Sequence, residues 1–292
     1  MATGIISAGI GIGILVCVPS IQYLILQFGW RMAYRVMAVF IPLIVILLAI
    51  LFVRQPPRFS SYPIEVGVPE KTKRDPLVIN EEWVSRSRTI RKAMTTQPFW
   101  LLATAFLLGS FMIQSVFTHQ VAFFVDCGLE PLIASYLVGI VGLVSIVSKI
   151  FWGILADRIG REVLFTVGFI CSILGILWLI LFSQTPASSF PYLYGLFFGL
   201  GYATQAALPP LIAADFFEGK TYGGIFGTFI FFIGIGGALG AWFAGFLYDQ
   251  TGSYLPVFVI LIVCALISCL NVWKAAPRKI RRVSGKVELN SG

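Results

Sequence analysis

One ionisable side chain stands where water should be scarce. Lys149 lies inside the apolar run at about 132 to 156, and a cation there is costly and usually marks a substrate or ion path. Its ammonium, a compact point charge with three donors, suits an anion. Gly142, Ser145 and Gly153 fall on the same helical face, since residues three and four apart are neighbours on a helix. That face is small and polar, as the wall of an interior cavity would be. Lys149 also precedes Asp157 by two helical turns, roughly 12 Å of rise. Its ammonium could then snorkel toward the membrane surface, and the residues alone leave both placements open.

His119 is the single histidine, the residue type that exchanges protons near neutral pH. It follows Gln114 and stands one turn after Ser115, placed for a structural hydrogen bond or for contact with substrate or proton. Gln205, beside Tyr202 and Thr204, would orient a substrate or close an interhelical hydrogen bond. All thirteen Asp and Glu residues fall in loops, turns or tails. Proton-driven cation export generally uses a membrane carboxylate, so an anionic substrate balanced by Lys149 is the better fit. Five cysteines without a Cys-x-x-Cys pair, and one histidine, give no zinc set. The loops hold no Ser/His/Asp set and no paired carboxylates for catalysis. A protein without enzymatic activity, metal or cofactor is expected.

The elements that must position these groups are membrane helices. At 58% hydrophobic and 12% charged residues, with a mean hydropathy of +0.90, the chain is far more apolar than a soluble domain. Runs of the ~20 residues needed to cross the hydrocarbon fall at about 4–28, 33–53, 99–124, 132–156, 163–183, 190–214, 222–248 and 255–273, predicting eight spans. Met1 to Phe28 lacks a basic start and continues into more apolar sequence, so no cleaved signal peptide is expected. Lys and Arg number nine in 54–97, two in the 157–162 turn, one in 215–221 and six in 274–292, while the intervening loops hold only Arg31 and Arg35. The positive-inside rule then puts the long loop and both termini in the cytoplasm. The net charge of +8 reflects that topology and contact with anionic lipid, not nucleic acid. The predicted division is 1–53, a proline-rich basic linker 54–97, a six-helix bundle 98–273, and a basic tail 274–292. Within the linker, Glu81 to Thr96 fits either a surface helix bearing Trp83, Val84, Ile90 and Met94 or a solvated strand of chain.

The turn after Lys149, Gly153-Ile-Leu-Ala-Asp157-Arg158-Ile-Gly160-Arg161, resembles the signature loop of the major facilitator superfamily of secondary transporters. The resemblance implies an all-α integral membrane bundle working by alternating access. It implies that Asp157, Arg158 and Arg161 tie helix ends together in one access state, with Gly153 and Gly160 shaping the turn. Aligning Gly29-Trp30-Arg31 with Gly252-Ser253-Tyr254 also brings Gly11 onto Gly234 and Gly13 onto Gly236, a weak repeat of the kind transporter folds contain. On the superfamily's twelve-helix plan the eight spans correspond to helices five to twelve. This leaves several expectations: a late-start product, one piece of a split carrier completed by a separate chain supplying the first four helices, or a truncated, non-transporting remnant or membrane subunit.

Pro19 with Gly29-Trp30-Arg31, Phe99-Trp100, the stretch from His119 to Asp126-Cys127-Gly128, and Gly245 to Tyr254 together resemble the oxalate/formate antiporter and monocarboxylate porter group. In that group a basic residue, usually Arg, stands four positions before the signature Gly and binds the substrate carboxylate; here it is Lys149, which cannot form Arg's bidentate fork. Ser145 stands where the monocarboxylate porters place an acid one turn earlier. The expectation is a plasma-membrane carrier of a small carboxylate, with Lys149 on the anion and His119, Ser145, Gln114 and Gln205 shaping the site.

Overall fold

A computed structural model describes residues 2–52, 79, 83, 89–156, 158–185, 189–219 and 221–280, with side chains from residue 9 onward. Most of the 54–97 linker, Asp157 of the signature turn and the tail beyond residue 280 lie outside the described residues. The elements are α1 (Ala2–Phe52), α2 (Ile90–Met94), α3 (Gln97–Asp126), α4 (Pro131–Leu155), α5 (Arg161–Gln184), α6 (Phe190–Phe217), α7 (Tyr222–Thr251), α8 (Leu255–Ala275) and a 3₁₀ turn at Pro277–Lys279.

Helix boundaries follow from local chemistry. Pro98, Pro131, Pro191 and Pro256 occupy the first or second helical position of α3, α4, α6 and α8, where a missing N–H costs nothing and the fixed φ favours the helix. Gly252 closes α7 at φ 66°, the left-handed cap that glycine adopts without a Cβ clash. Among the described residues seven helices are long and apolar enough to cross a membrane, and the chain is a multi-pass membrane protein of the all-α class. The count differs from eight because the first two predicted spans run on within α1, interrupted at Gly29 (φ 77°, ψ 161°). That backbone region is open essentially to glycine alone. The interruption falls between the predicted spans, and the aligned Gly29 and Gly252 both have positive φ.

Two compact units divide the chain, residues 20–75 and residues 1–19 with 76–292. In the first, Ala33 is buried, Trp30 meets Tyr34 edge to face at 6.3 Å, and the Arg31 guanidinium lies 4.5 Å over the Trp30 ring. In the second, α3 packs along α7 and α8, while α6 packs along α4 and α5. A Cβ at Gly236 or Gly240 of α7 would overlap the Leu107 or Phe111 backbone of α3, so these glycines set the α3–α7 approach. The α3–α7 seam continues into an aromatic core where Phe99 stacks on Phe229 at 4.8 Å and Phe106 meets Phe229 edge-on at 5.5 Å.

The linker reading also changes. α2 is a single short helix, capped by Thr89, and Trp83 donates its indole N–H to the Phe216 carbonyl at 2.9 Å. Trp83 packs edge-on against Phe216, so it is held by the bundle instead of facing headgroups. Val84 lies outside the described residues.

Candidate functional site

Lys149 is fully buried, and its Nζ has no hydrogen-bond partner among the described residues. The ammonium lies 4.7 Å over the Tyr202 ring, a cation–π contact that offsets part of the lost hydration. The snorkelling alternative is therefore not the one adopted. The α4–α6 contact that holds it is fixed by Gly199, where a Cβ would meet Val144 at 2.8 Å, and by the Trp152 indole donating to the Leu200 carbonyl at 3.0 Å.

Tyr202 is also a wall of a cavity of about 370 Å³ between α3, α6 and α7. Its polar lining comprises Ser110, Gln114 and Gln205, among apolar groups that include Phe106, Ile113 and Ile233. Gln205 Nε2 is buried without a partner among the described residues, so the satisfied interhelical hydrogen bond is not made and one amide donor is left for a ligand. Gly109 leaves room for this carboxamide, since a Cβ there would lie 2.7 Å from Gln205 Oε1. Pro209 and Pro210 lie inside α6 and lack the N–H that would reach the carbonyl four residues back. The carbonyls so released belong to Gln205 and Ala206, both in the cavity wall. Sequence reasoning did not single out Ser110 or the proline pair; a Pro-Pro step four residues past a polar pair was the available signal.

Of the five candidate ligands, the structure brings Gln114 and Gln205 to one cavity and places Lys149 behind its Tyr202 wall. Ser145 is elsewhere: it is buried, donates to the Gly142 carbonyl at 2.8 Å, and faces α1, where a Cβ on Gly11 would come within 2.7 Å of its Oγ. Its small size serves that helix crossing. His119 lies further along α3, with Nε2 at 3.0 Å from the Ala241 carbonyl and Nδ1 at 3.3 Å from the Tyr254 hydroxyl. Burial, followed by the Asp126 carboxylate, pushes the Tyr254 phenol up to about 12, so it stays a neutral hydroxyl. Another polar pair is internal: the buried Tyr194 hydroxyl donates to Gln120 Oε1.

At the other end of the bundle Arg161 binds Asp215 Oδ2 through Nε at 3.2 Å and the Ala156 carbonyl through Nη1 at 3.0 Å. It thereby ties the start of α5 to the end of α6 and the end of α4. Gly160, at φ 115°, makes the turn before it, Gly153 is buried and Arg158 is exposed. Asp215 and Glu162 lie in terminal turns of α6 and α5, not in free loops. Buried Glu162 accepts from the Arg278 backbone N–H at 2.7 Å and its guanidinium at 3.5 Å. The sequence marked Arg161 but not these partners, because acids fifty or more residues away carry no spacing signal.

The sequence profile of the Major Facilitator Superfamily matches residues 1–214 and again 125–290. Among individual proteins, the chain is 25% identical to monocarboxylate transporter 12 of Xenopus laevis, over 91% of this chain and 60% of the relative. It is 25% identical to monocarboxylate transporter 13 of Rattus norvegicus, over 89% and 56%, and 30% identical to MFS-type transporter 1 of an Ophiocordyceps species, over 73% and 42%. The chain thus spans roughly 60% of the length of the first of these and less of the others. None of these matches supports a separate partner chain.

Proposed function

Because the chain belongs to the major facilitator superfamily, we propose that it acts in secondary active transport of a small organic anion, a monocarboxylate first of all, by alternating access. The observation that carries this reading is Lys149, a wholly buried ammonium without a hydrogen-bond partner among the described residues, set against a wall of the α3–α6–α7 cavity. A buried cation in a helix bundle pairs with a counter-charge or a polar group, and among the described residues no Asp or Glu lines that cavity. A substrate carboxylate would supply it, with Tyr202 turning aside and Gln114 and Gln205 holding the remainder of the molecule. His119 and Ser145 lie outside this cavity and would act on it only through the packing of α3 and α4. The names of the vertebrate relatives support the monocarboxylate class; a dicarboxylate such as oxalate is the variant within the wider small-anion reading.

Arg161 with Asp215, together with Asp157 and Arg158 of the signature sequence, would hold the ends of α4, α5 and α6 together in one access state and release them in the other. The protein would sit in the plasma membrane with both termini in the cytoplasm, 1–53 giving the last two helices of the amino-terminal half-bundle and 98–273 the six-helix carboxy-terminal half-bundle, with the basic linker between them in sequence. Uptake into cells expressing the full-length protein tests the substrate class. Saturable uptake of a labelled monocarboxylate, inhibited by other carboxylates and indifferent to organic cations, is expected. Uptake of an organic cation unaffected by carboxylates would reject the reading.

A further inference from the structure

We propose that His119 is a proton-binding site whose protonation releases the junction between α3 and the α7–α8 turn. The inference is independent of the role given to Lys149. The Ala241 carbonyl can only accept, so Nε2, at 3.0 Å from it, carries a hydrogen. In the neutral ring Nδ1 is then an acceptor, and the Tyr254 hydroxyl at 3.3 Å donates to it. The ring bridges three elements: α3, which carries it, α7 through Ala241, and the first residue before α8 through Tyr254. Gly245 makes the approach possible, because a Cβ there would lie 3.2 Å from His119 Cε1.

The small cavity around His119 is lined by the polar Ser115, Gln120 and Tyr254 among apolar groups that include Val116, Leu179 and Leu261. The titratable groups near it are few. From the α8 side there is Tyr254, in direct contact. From α7 there are Tyr248, stacked on Tyr254 at 4.2 Å, and exposed Asp249; from α6 there is Tyr194, engaged with Gln120. On α3 itself Asp126 accepts from the Tyr248 hydroxyl at 2.8 Å, with Cys127 beside it. Among the described residues no lysine or arginine lines the His119 cavity or its neighbour.

That neighbour is a second cavity of about 150 Å³, lined by Asp126, Ser183 and Tyr248 on the far side of Tyr254. Tyr254 is a wall of both. His119 and Asp126 lie two turns apart on one face of α3, ~10 Å along its axis. A proton on Nδ1 removes the acceptor that holds the Tyr254 hydroxyl and puts an N–H donor in its place. The state in which Tyr254 swings out and joins the two cavities gives the imidazolium water and the Asp126 carboxylate. Acid therefore loosens this end of the bundle, and alkali closes it.

Because the 292-residue chain has one histidine, its imidazole gives a single set of NMR signals. The test is nitrogen-15 histidine NMR on the chain in nanodiscs between about pH 8 and about pH 5. It is paired with spin-label distances between Glu130→Cys and Ser253→Cys in a cysteine-free background. We expect the Nε2–H tautomer at high pH, conversion to the doubly protonated ring, and a widening of the label distance with the same midpoint. Tyr254→Phe, which keeps the stacked ring, should give the wider distribution already at about pH 8, and His119→Gln should abolish the pH dependence. A ring that stays neutral throughout, or a distance change that persists in His119→Gln, would overturn the proposal.

Discussion

A missing side chain decides how Gln205 is presented. Gly109 leaves the space its carboxamide occupies, so Gly109→Ala should push it out of the cavity wall without touching Lys149. The expected loss is about 1 kcal/mol of substrate affinity, or roughly fivefold in half-saturating concentration, with surface abundance unchanged; concentration-dependent uptake measures it. At this scale the sequence was informative about which side chains matter and poor about what they face. Lys149 was legible because a charge in an apolar run is rare. Ser145 was not, because a helical face shared with Lys149 does not reveal that α1 covers Ser145 through Gly11. Gln205 had two open readings, and only its partnerless Nε2 separates them.

Between elements, glycine spacing and ion pairs set the geometry. Gly240→Ala would drive a methyl into the Phe111 carbonyl and separate α3 from α7 on both sides of the cavity. A cost of about 1–3 kcal/mol is expected, read as a lower midpoint in thermal unfolding in detergent, whereas Gly223→Ala, with open space around it, should be neutral. The Arg161–Asp215 pair is only about 15% exposed on either side. A double-mutant cycle with Arg161→Ala and Asp215→Ala should give a coupling on the order of 1 kcal/mol in the same assay; additive effects would mean the pair ties nothing. Helix existence was plain from hydropathy, and the signature turn from its Gly and Arg spacing. The joining of two predicted spans within α1 was not, because Gly29 reads as a turn while its neighbours keep helical geometry. Trp83 misled for a different reason: an amphipathic pattern cannot distinguish a headgroup surface from a protein surface at Phe216.

For the whole molecule, the proposed topology rests on the distribution of Lys and Arg between alternate loops. Ser253→Cys, in the turn between α7 and α8, should react in intact cells with a membrane-impermeant maleimide, and Arg158→Cys only after permeabilisation. The reverse pattern would invert the topology. The anion reading itself rests on one charge, and its most direct measurement is uptake of a labelled monocarboxylate by proteoliposomes containing full-length protein with Lys149, Lys149→Arg or Lys149→Gln. Loss of a charged partner should lower apparent affinity about tenfold to hundredfold in Lys149→Gln, while Lys149→Arg, keeping the charge, retains saturable uptake. Wild-type uptake by Lys149→Gln at equal protein content would contradict the account.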